Sequence, residues 1–462
     1  MRFLKFAALV SLSTMIASAA MACPSGLRPF NKQLEGKDTC VLEGTYVGNL
    51  ELSSGFNYIL LGPVFIGKEV RDANLNLVEP IEPATLTVAA GVKMFGLNPE
   101  KDKTGVWSGF TMANGQPVQG DVKTFMSVTR DSRIEILGKE TAPVLMTSAQ
   151  GAHQATPAAE KQPGDWGGLV ISGKAKSNKC TTFADCTLPG EADTGYYAGD
   201  DDNHSSGVIQ YLQVEYGGDR IDDEKELNGI TFNAVGLGTV VENIAVLYNS
   251  DDCVEFFGGA VMARNVFCYK GLDDGIDTTD GARIFLQNGI VVNGDYPNAG
   301  ADNDRHAVEA DSSKSDAASL RLRSHPMLVN FTFIGGLNTQ GFKLRRGTDY
   351  TIVNSAMTGF DLWCMDPTGA NLLDLYTNVF ADCNTADPVK GQNNNDFVTA
   401  TDMKVKGWIP EAGSPLTGGA AIIETFSDDP NLDEAFADFY QEVEYRGAIG
   451  ANDWTTWIQI RD

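Results

Sequence analysis

Short apolar stretches with period-two alternation recur along the chain at a nearly constant interval, and no 3.6-residue helical stripe runs through them. An asparagine followed by such a stretch stands at Asn243, Asn265, Asn288, Asn330, Asn354 and Asn378, at spacings of 22, 23, 42, 24 and 24 residues. The interval of 42 is one repeat plus an insertion, which the polar stretch Gly294–Ser315 supplies. A second ladder of polar, small, apolar and polar residues runs in phase with the first. Its copies are Asn228-Gly229-Ile230-Thr231, Asp252-Cys253-Val254-Glu255, Asp274-Gly275-Ile276-Asp277, His306-Ala307-Val308-Glu309 and Gln340-Gly341-Phe342-Lys343.

Two ladders sharing one period predict an all-β solenoid, a right-handed parallel β-helix with about three strands per coil and coils ~4.8 Å apart. Asparagines in register are expected to stack amide on amide. The runs Ala84–Phe95, Met126–Leu137, Pro143–Thr147, Gly168–Ser172 and Ile209–Tyr216 read as less regular early coils. Asp429-Pro430-Asn431 opens one amphipathic helix reaching Val443, with Asn431 as the capping acceptor. Trp454 and Trp457 are expected to cover the last coil. The predicted organisation is a signal peptide over 1–22, the solenoid over 23–425, and a C-terminal helix with a Trp-rich cap over 426–462.

Composition supports one long domain with many turns, since 49 of 462 residues are glycine. The formal charge of −26 argues against nucleic-acid or anionic-membrane partners, which favour a Lys/Arg surplus. Arg2 and Lys5, an apolar run and Ala20-Met21-Ala22 form an export signal, and no later stretch is long and apolar enough to span a bilayer. Cleavage there would expose Cys23, which raises a lipid anchor. Ala20 stands where a lipoprotein signal wants a Leu-like residue, so release outside the cell or at its surface is favoured, with the periplasm as the other compartment. The eight cysteines form four sequence-local pairs, and Cys180–Cys186 and Cys23–Cys40 are the bridges the spacing best supports. Walker, G-x-S-x-G and H-E-x-x-H motifs do not occur.

If the apolar member of each copy points inward, Glu255, Asp277, Glu309 and Lys343 form one outward column, and Phe257, Thr279, Asp311 and Arg345 a second. The small members Cys253, Gly275, Ala307 and Gly341 are expected to floor a shallow trough between columns and turn. Asp251, Asp252, Asp273, Asp274 and His306 rim it. Stacked carboxylates such as Glu255 and Asp277 invite a hard cation, calcium by their all-oxygen chemistry, unless the ladder is only a solvated face. The acid runs Asp200–Asp202 and Asp219–Glu226 invite a calcium reading as well, but neither matches an EF-hand loop, and solvated loops are the commoner case.

The stretches CVLEGTYVGN (Cys40–Asn49), GDWGGLVISGKA (Gly164–Ala175), Glu226–Val246, DDCVEFFGG (Asp251–Gly259), GLDDGIDTTDG (Gly271–Gly281) and Tyr445–Trp457 resemble a bacterial family of exported β-helix proteins, which implies a pectin-lyase-like solenoid and export. Locally, the order Asn249-Ser250-Asp251-Asp252, Asp273-Asp274, His306 and Lys343-Leu344-Arg345 is similar to the polygalacturonase family. That resemblance implies inverting hydrolysis with Asp274 as the acid, Asp252 and Asp273 as the base pair, and Lys343 and Arg345 binding a sugar carboxylate. The chain departs from that pattern in the residues around His306 and in the order of its basic pair. Three functions follow as expectations: recognition of extracellular polysaccharide along the trough, a polysaccharide hydrolase or lyase at the same residues, or a structural or adhesive solenoid.

Overall fold

The computed structural model describes residues 22–98, 123–152, 161–221, 225–296, 305–313, 322–383, 394–427 and 429–460. The expected signal peptide up to residue 21 and part of the insertion, 297–304 and 314–315, lie outside them. Among the described residues, 26 strands join into one sheet whose neighbours are a coil apart in sequence. Every pairing in it is parallel except the first, where Arg28–Pro29 meets Thr39–Tyr46 antiparallel. This is the parallel β-helix that the two ladders predict. The five early runs anticipated before the ladder all contain strands, from Ala84–Ala89 to Gly207–Glu215.

Inward residues follow the register without a break. Val64, Met126, Leu169, Ile230, Val254, Ile276, Val308, Phe342 and Met365 align coil by coil and share one apolar core. The residues next to them face outward, and they make the column described below.

The small ladder members do not floor a trough. Cys253 and Ala307 belong to the core, and a Cβ on Gly275 would meet Val291 Cγ1 at 2.4 Å. At Gly341 a Cβ would fall 1.9 Å from the carbonyl oxygen of Cys364. The chain turns at this corner, so two successive residues face the interior and the first has room for almost nothing. All four sequence-local cysteine pairs are bonded: Cys23–Cys40, Cys180–Cys186, Cys253–Cys268 and Cys364–Cys383.

The ladder asparagines do a different job from the one expected. Asn243, Asn265, Asn288, Asn330 and Asn354 each take a left-handed backbone, with φ between 53° and 61°, which asparagine tolerates better than most residues. Asn243, Asn265, Asn288 and Asn330 sit inside a strand where the pairing register skips them, and Asn354 lies between two strands. Only Asn265 bonds its neighbour, donating from Nδ2 to Asn243 Oδ1 at 2.9 Å. Asn330 and Asn354 instead donate to the carbonyls of Tyr445 and Ala421. At the sixth copy Thr377 takes the left-handed place, at φ 53°, and Asn378 bonds Ile352 and Ser355.

Those bonds fasten the C-terminal segment along the flank of the solenoid, not over its end. On that flank Leu247, Phe267, Tyr269 and Ile290 point outward, and apolar residues there need cover. Trp457 packs on them and meets Tyr211 edge to face at 5.6 Å, while Trp408 meets Phe267 at 5.1 Å. The helix Pro430–Phe439 lays Leu432 and Phe436 on Met262, Phe285 and Met327. Its cap is Asp429, which accepts from Asn431 N at 3.0 Å, so the capping acceptor stands two residues earlier than expected. The helix ends at Phe439, short of Val443, because Gln287 takes the backbone of Gln441 in an extended conformation, accepting from its N–H and donating to its carbonyl. Gln213 grips Gln459 in the same way.

Candidate metal centre

One outward column passes through Thr231, Glu255, Asp277, Glu309, Lys343 and Asp366, each aligned with the next across a parallel strand pair. Strand pairing fixes this spacing, so the three acids cannot move apart without breaking the sheet. The preceding turns add Asp251 and Asp252 from one coil and Asp273 and Asp274 from the next. Loops outside the repeat bring Glu191 and Glu226. Together these nine carboxylates line a cavity of about 190 Å³, and no Lys or Arg lines it.

Within the cavity the acids fall into groups whose ligand atoms lie within 4.8 Å of one another: Asp252 with Glu255 and Asp277, Glu226 with Asp251 and Asp273, and Asp252 with Asp273 and Asp274. Two oxygens bound to one calcium at ~2.4 Å can be at most about 4.8 Å apart, a spacing that each group meets. Asp277 Oδ1 is buried and accepts no hydrogen bond, as an atom reserved for a cation would be. A fourth group, Asp274 with His306 and Glu309, includes a nitrogen and suits calcium less well.

Without a cation, these groups resist ionisation. Burial pushes the carboxyls of Asp251, Asp252, Glu255, Asp274 and Asp277 well above the ordinary range, and neighbouring acids push them further. The hydrogen bonds on hand are few. Asn228 Nδ2 donates to Glu255 Oε2 at 2.6 Å, and the backbone N–H groups of Asp274 and His306 donate to Asp252 and Asp274.

The site therefore sits on one face of a long solenoid, at the corner where turn and strand meet. Residues 82–407 match the model of the pectate-lyase like beta helix domain. The chain belongs to that family. No curated protein matches it.

Members of the predicted site within this pectate-lyase-like domain separate into two groups. Asp251, Asp252, Asp273, Asp274, Glu255, Asp277 and Glu309 come together in the cavity. His306 adjoins it with its ring 1% exposed, Nδ1 3.0 Å from Asp274 Oδ1 and its face on Trp363. It orients Asp274 from behind. The cations are already paired, Arg345 with an acid of the cavity itself. Lys343 pairs with Asp366 at 3.3 Å, and Arg345 bonds Glu309 and, at 2.9 Å, Asp311. Although burial works against its charge, Glu309 and Asp311 hold the Arg345 guanidinium above its ordinary value. Arg346 also bonds Asp311, so that carboxylate is engaged outside the cavity.

Sequence reading missed Glu191 and did not join Glu226 to the trough. Glu226 lay in an acid run taken as a solvated loop, and its approach to Asp251 follows from the fold. Glu191 stands in a loop sixty residues before Asp251, and nothing in the repeat could place it. Of the two acid runs, Asp202 is tied instead to Lys176 and Arg283, at 2.7 Å each.

Proposed function

We propose that this chain is an exported β-helix protein that binds an anionic polysaccharide through calcium held in the acid cavity. The observation that carries this reading is the cavity wall: nine carboxylates and no cationic side chain. Such a wall repels a polyuronate unless positive charge intervenes. Bound calcium would supply a bridge between these carboxylates and those of a sugar chain. Asp252, Glu255 and Asp277 would hold one ion, and Asp251, Asp273 and Glu226 a second. His306 keeps Asp274 turned towards the cavity. Four disulfides, Cys23–Cys40 among them, fit an oxidising compartment. Among the described residues no helix is long and apolar enough to cross a membrane.

Cleavage of the same polysaccharide is the second reading. It is favoured by Asp252, Asp273 and Asp274 meeting at one point, with buried carboxyls suited to donating a proton. Against simple inversion, their nearest atoms lie within 4.8 Å, tighter than the ~6.5–9.5 Å that leaves room for an attacking water.

Isothermal titration of the purified protein with polygalacturonate and alginate, in calcium and in chelator, tests the proposal. Binding only in calcium, and its loss in Asp252→Asn, is the expected result. Equal binding in both buffers, or none in either, refutes it. Release of reducing ends or unsaturated products that stops in Asp274→Asn would convert binder into enzyme. A purely structural or adhesive solenoid would show neither binding nor turnover.

A further inference from the structure

The outward column does not stop at Thr231. It continues through Val170, Ser127, Phe65 and Thr45, one strand at a time. A hairpin of Leu188–Pro189 and Tyr196–Tyr197 lies across its middle. Ala192 packs beside Val170, and Ser127 Oγ donates to the Thr194 carbonyl, so the hairpin is seated on the face. Its turn sends Glu191 to the acid cavity on one side. On the other side Gly190, Asp193 and Tyr196 line a separate cleft of about 330 Å³ with Phe65, Lys68 and Arg71. From Phe65 to Glu255 is four strand spacings, about 19 Å.

The two cavities differ in chemistry. In the cleft, positive and negative groups cancel. Arg71 bonds Glu69 at 2.6 Å, and Glu69 has its side chain 1% exposed. Lys68 pairs with Glu79 and Glu82. Arg71 also lies over the Tyr196 ring at 5.7 Å, which fixes that ring's orientation. Phe65 faces outward from its strand and is only partly covered by Phe125. Two aromatic side chains with hydrogen-bonding groups held at the rim suit a pyranose, which has an apolar C–H face and a girdle of hydroxyls. The volume is at the lower end of ordinary ligand sites, which suits one ring and not a large ligand. With no net charge on its wall, the cleft has no means of preferring a uronate over a neutral sugar.

We propose that this cleft is a second glycan subsite, which takes a neutral sugar residue and needs no metal ion. The proposal rests on the reading of the chain as a glycan binder, but its readout is independent of the acid cavity. The experiment is a titration of the whole protein with neutral hexose tetrasaccharides in excess chelator, followed by saturation-transfer NMR and calorimetry. Wild type is expected to bind at least one of them with chelator present. Tyr196→Ala should weaken that binding tenfold or more, and Thr45→Trp, at an exposed position on the cleft wall, should block it. Both variants should retain calcium-dependent polygalacturonate binding, which also reports that they are folded. If no neutral tetrasaccharide binds in chelator, or if both variants bind like wild type, the proposal is overturned. Chelator-resistant binding that depends on Tyr196, in a protein that ignores polygalacturonate, would sustain this subsite and remove the acid-cavity reading.

Discussion

Substituting Asp277 should change stability in opposite directions with and without calcium. Asp277 shares a ligand group with Asp252 and Glu255, all within 4.8 Å. Two ionised carboxylates at that distance repel by about 3.5 kcal/mol at an effective dielectric of 20. Protonation limits this cost, since a carboxyl forced to stay neutral loses ~1.4 kcal/mol per pH unit above its unfolded pKa. In chelator at pH 7.5, Asp277→Asn should therefore stabilise the protein by roughly the repulsion of one pair. With an unfolding entropy of ~2.1 cal/mol/K per residue, a chain of 462 residues converts that into a midpoint rise of about 3 to 4 °C. In calcium the order reverses. Wild type at about ten thousand times its dissociation constant gains ~5.5 kcal/mol, or about 5 to 6 °C, and the variant forfeits most of it. Differential scanning fluorimetry of both proteins in both buffers is the assay. A variant less stable than wild type in both buffers, or a wild-type midpoint indifferent to calcium, would refute the idea that these acids are assembled for a cation.

The same groups set a pH dependence. Their folded pKa values are raised, so the metal-free protein is most stable below the unfolded values near 4 and loses that stability as pH rises through the folded ones. The midpoint shift caused by chelator should thus grow from pH 5 to pH 8; a shift constant across that range would contradict it. Gly341→Ala should cost about 3 kcal/mol or more, because its Cβ has nowhere to go except into the Cys364 carbonyl; a melt within a degree of wild type would count against the corner geometry. Removing Cys253–Cys268, which closes a loop of sequence separation 15, should cost about 3 kcal/mol, read as a lowered denaturant midpoint for the double alanine variant. Phe285→Ala should cost about 3–5 kcal/mol and loosen the C-terminal helix, since Phe426, Phe436, Phe439 and Tyr440 all meet that ring; hydrogen exchange at Leu432–Phe439 matching wild type would show that the helix is held by other contacts.

The repeat was legible because parallel pairing imposes one period on every coil, and apolar residues at fixed phase mark the inside. From that period the alignment of Glu255, Asp277 and Glu309 could be written down without a structure. What period alone cannot give is the fate of residues contributed from outside it. Glu191 and Glu226 join the cavity through loops, and Arg345 is taken up by Glu309 at the cavity's edge and by Asp311. The asparagine column was visible, but its purpose was not. A polar residue at a left-handed corner can bond the next coil or a passing chain, and the choice depends on the C-terminal segment, distant in sequence. The same holds for Trp457: an aromatic near the end of a chain can cover an end or a side, and outward Phe267 and Ile290 decided for the side.

The amide clasps of Gln287 on Gln441 and Gln213 on Gln459 also impose an order on biogenesis. Synthesis proceeds from the first residue to the last, so the coils are made before the segment that seals them. Until the helix and then residue 459 arrive, Phe285 in one patch and Leu247, Phe267 and Ile290 in another lie bare to any neighbouring chain. The final tenth of the polypeptide acts as its own chaperone, and a protein truncated there would be finished as a stack of coils yet sticky along its length.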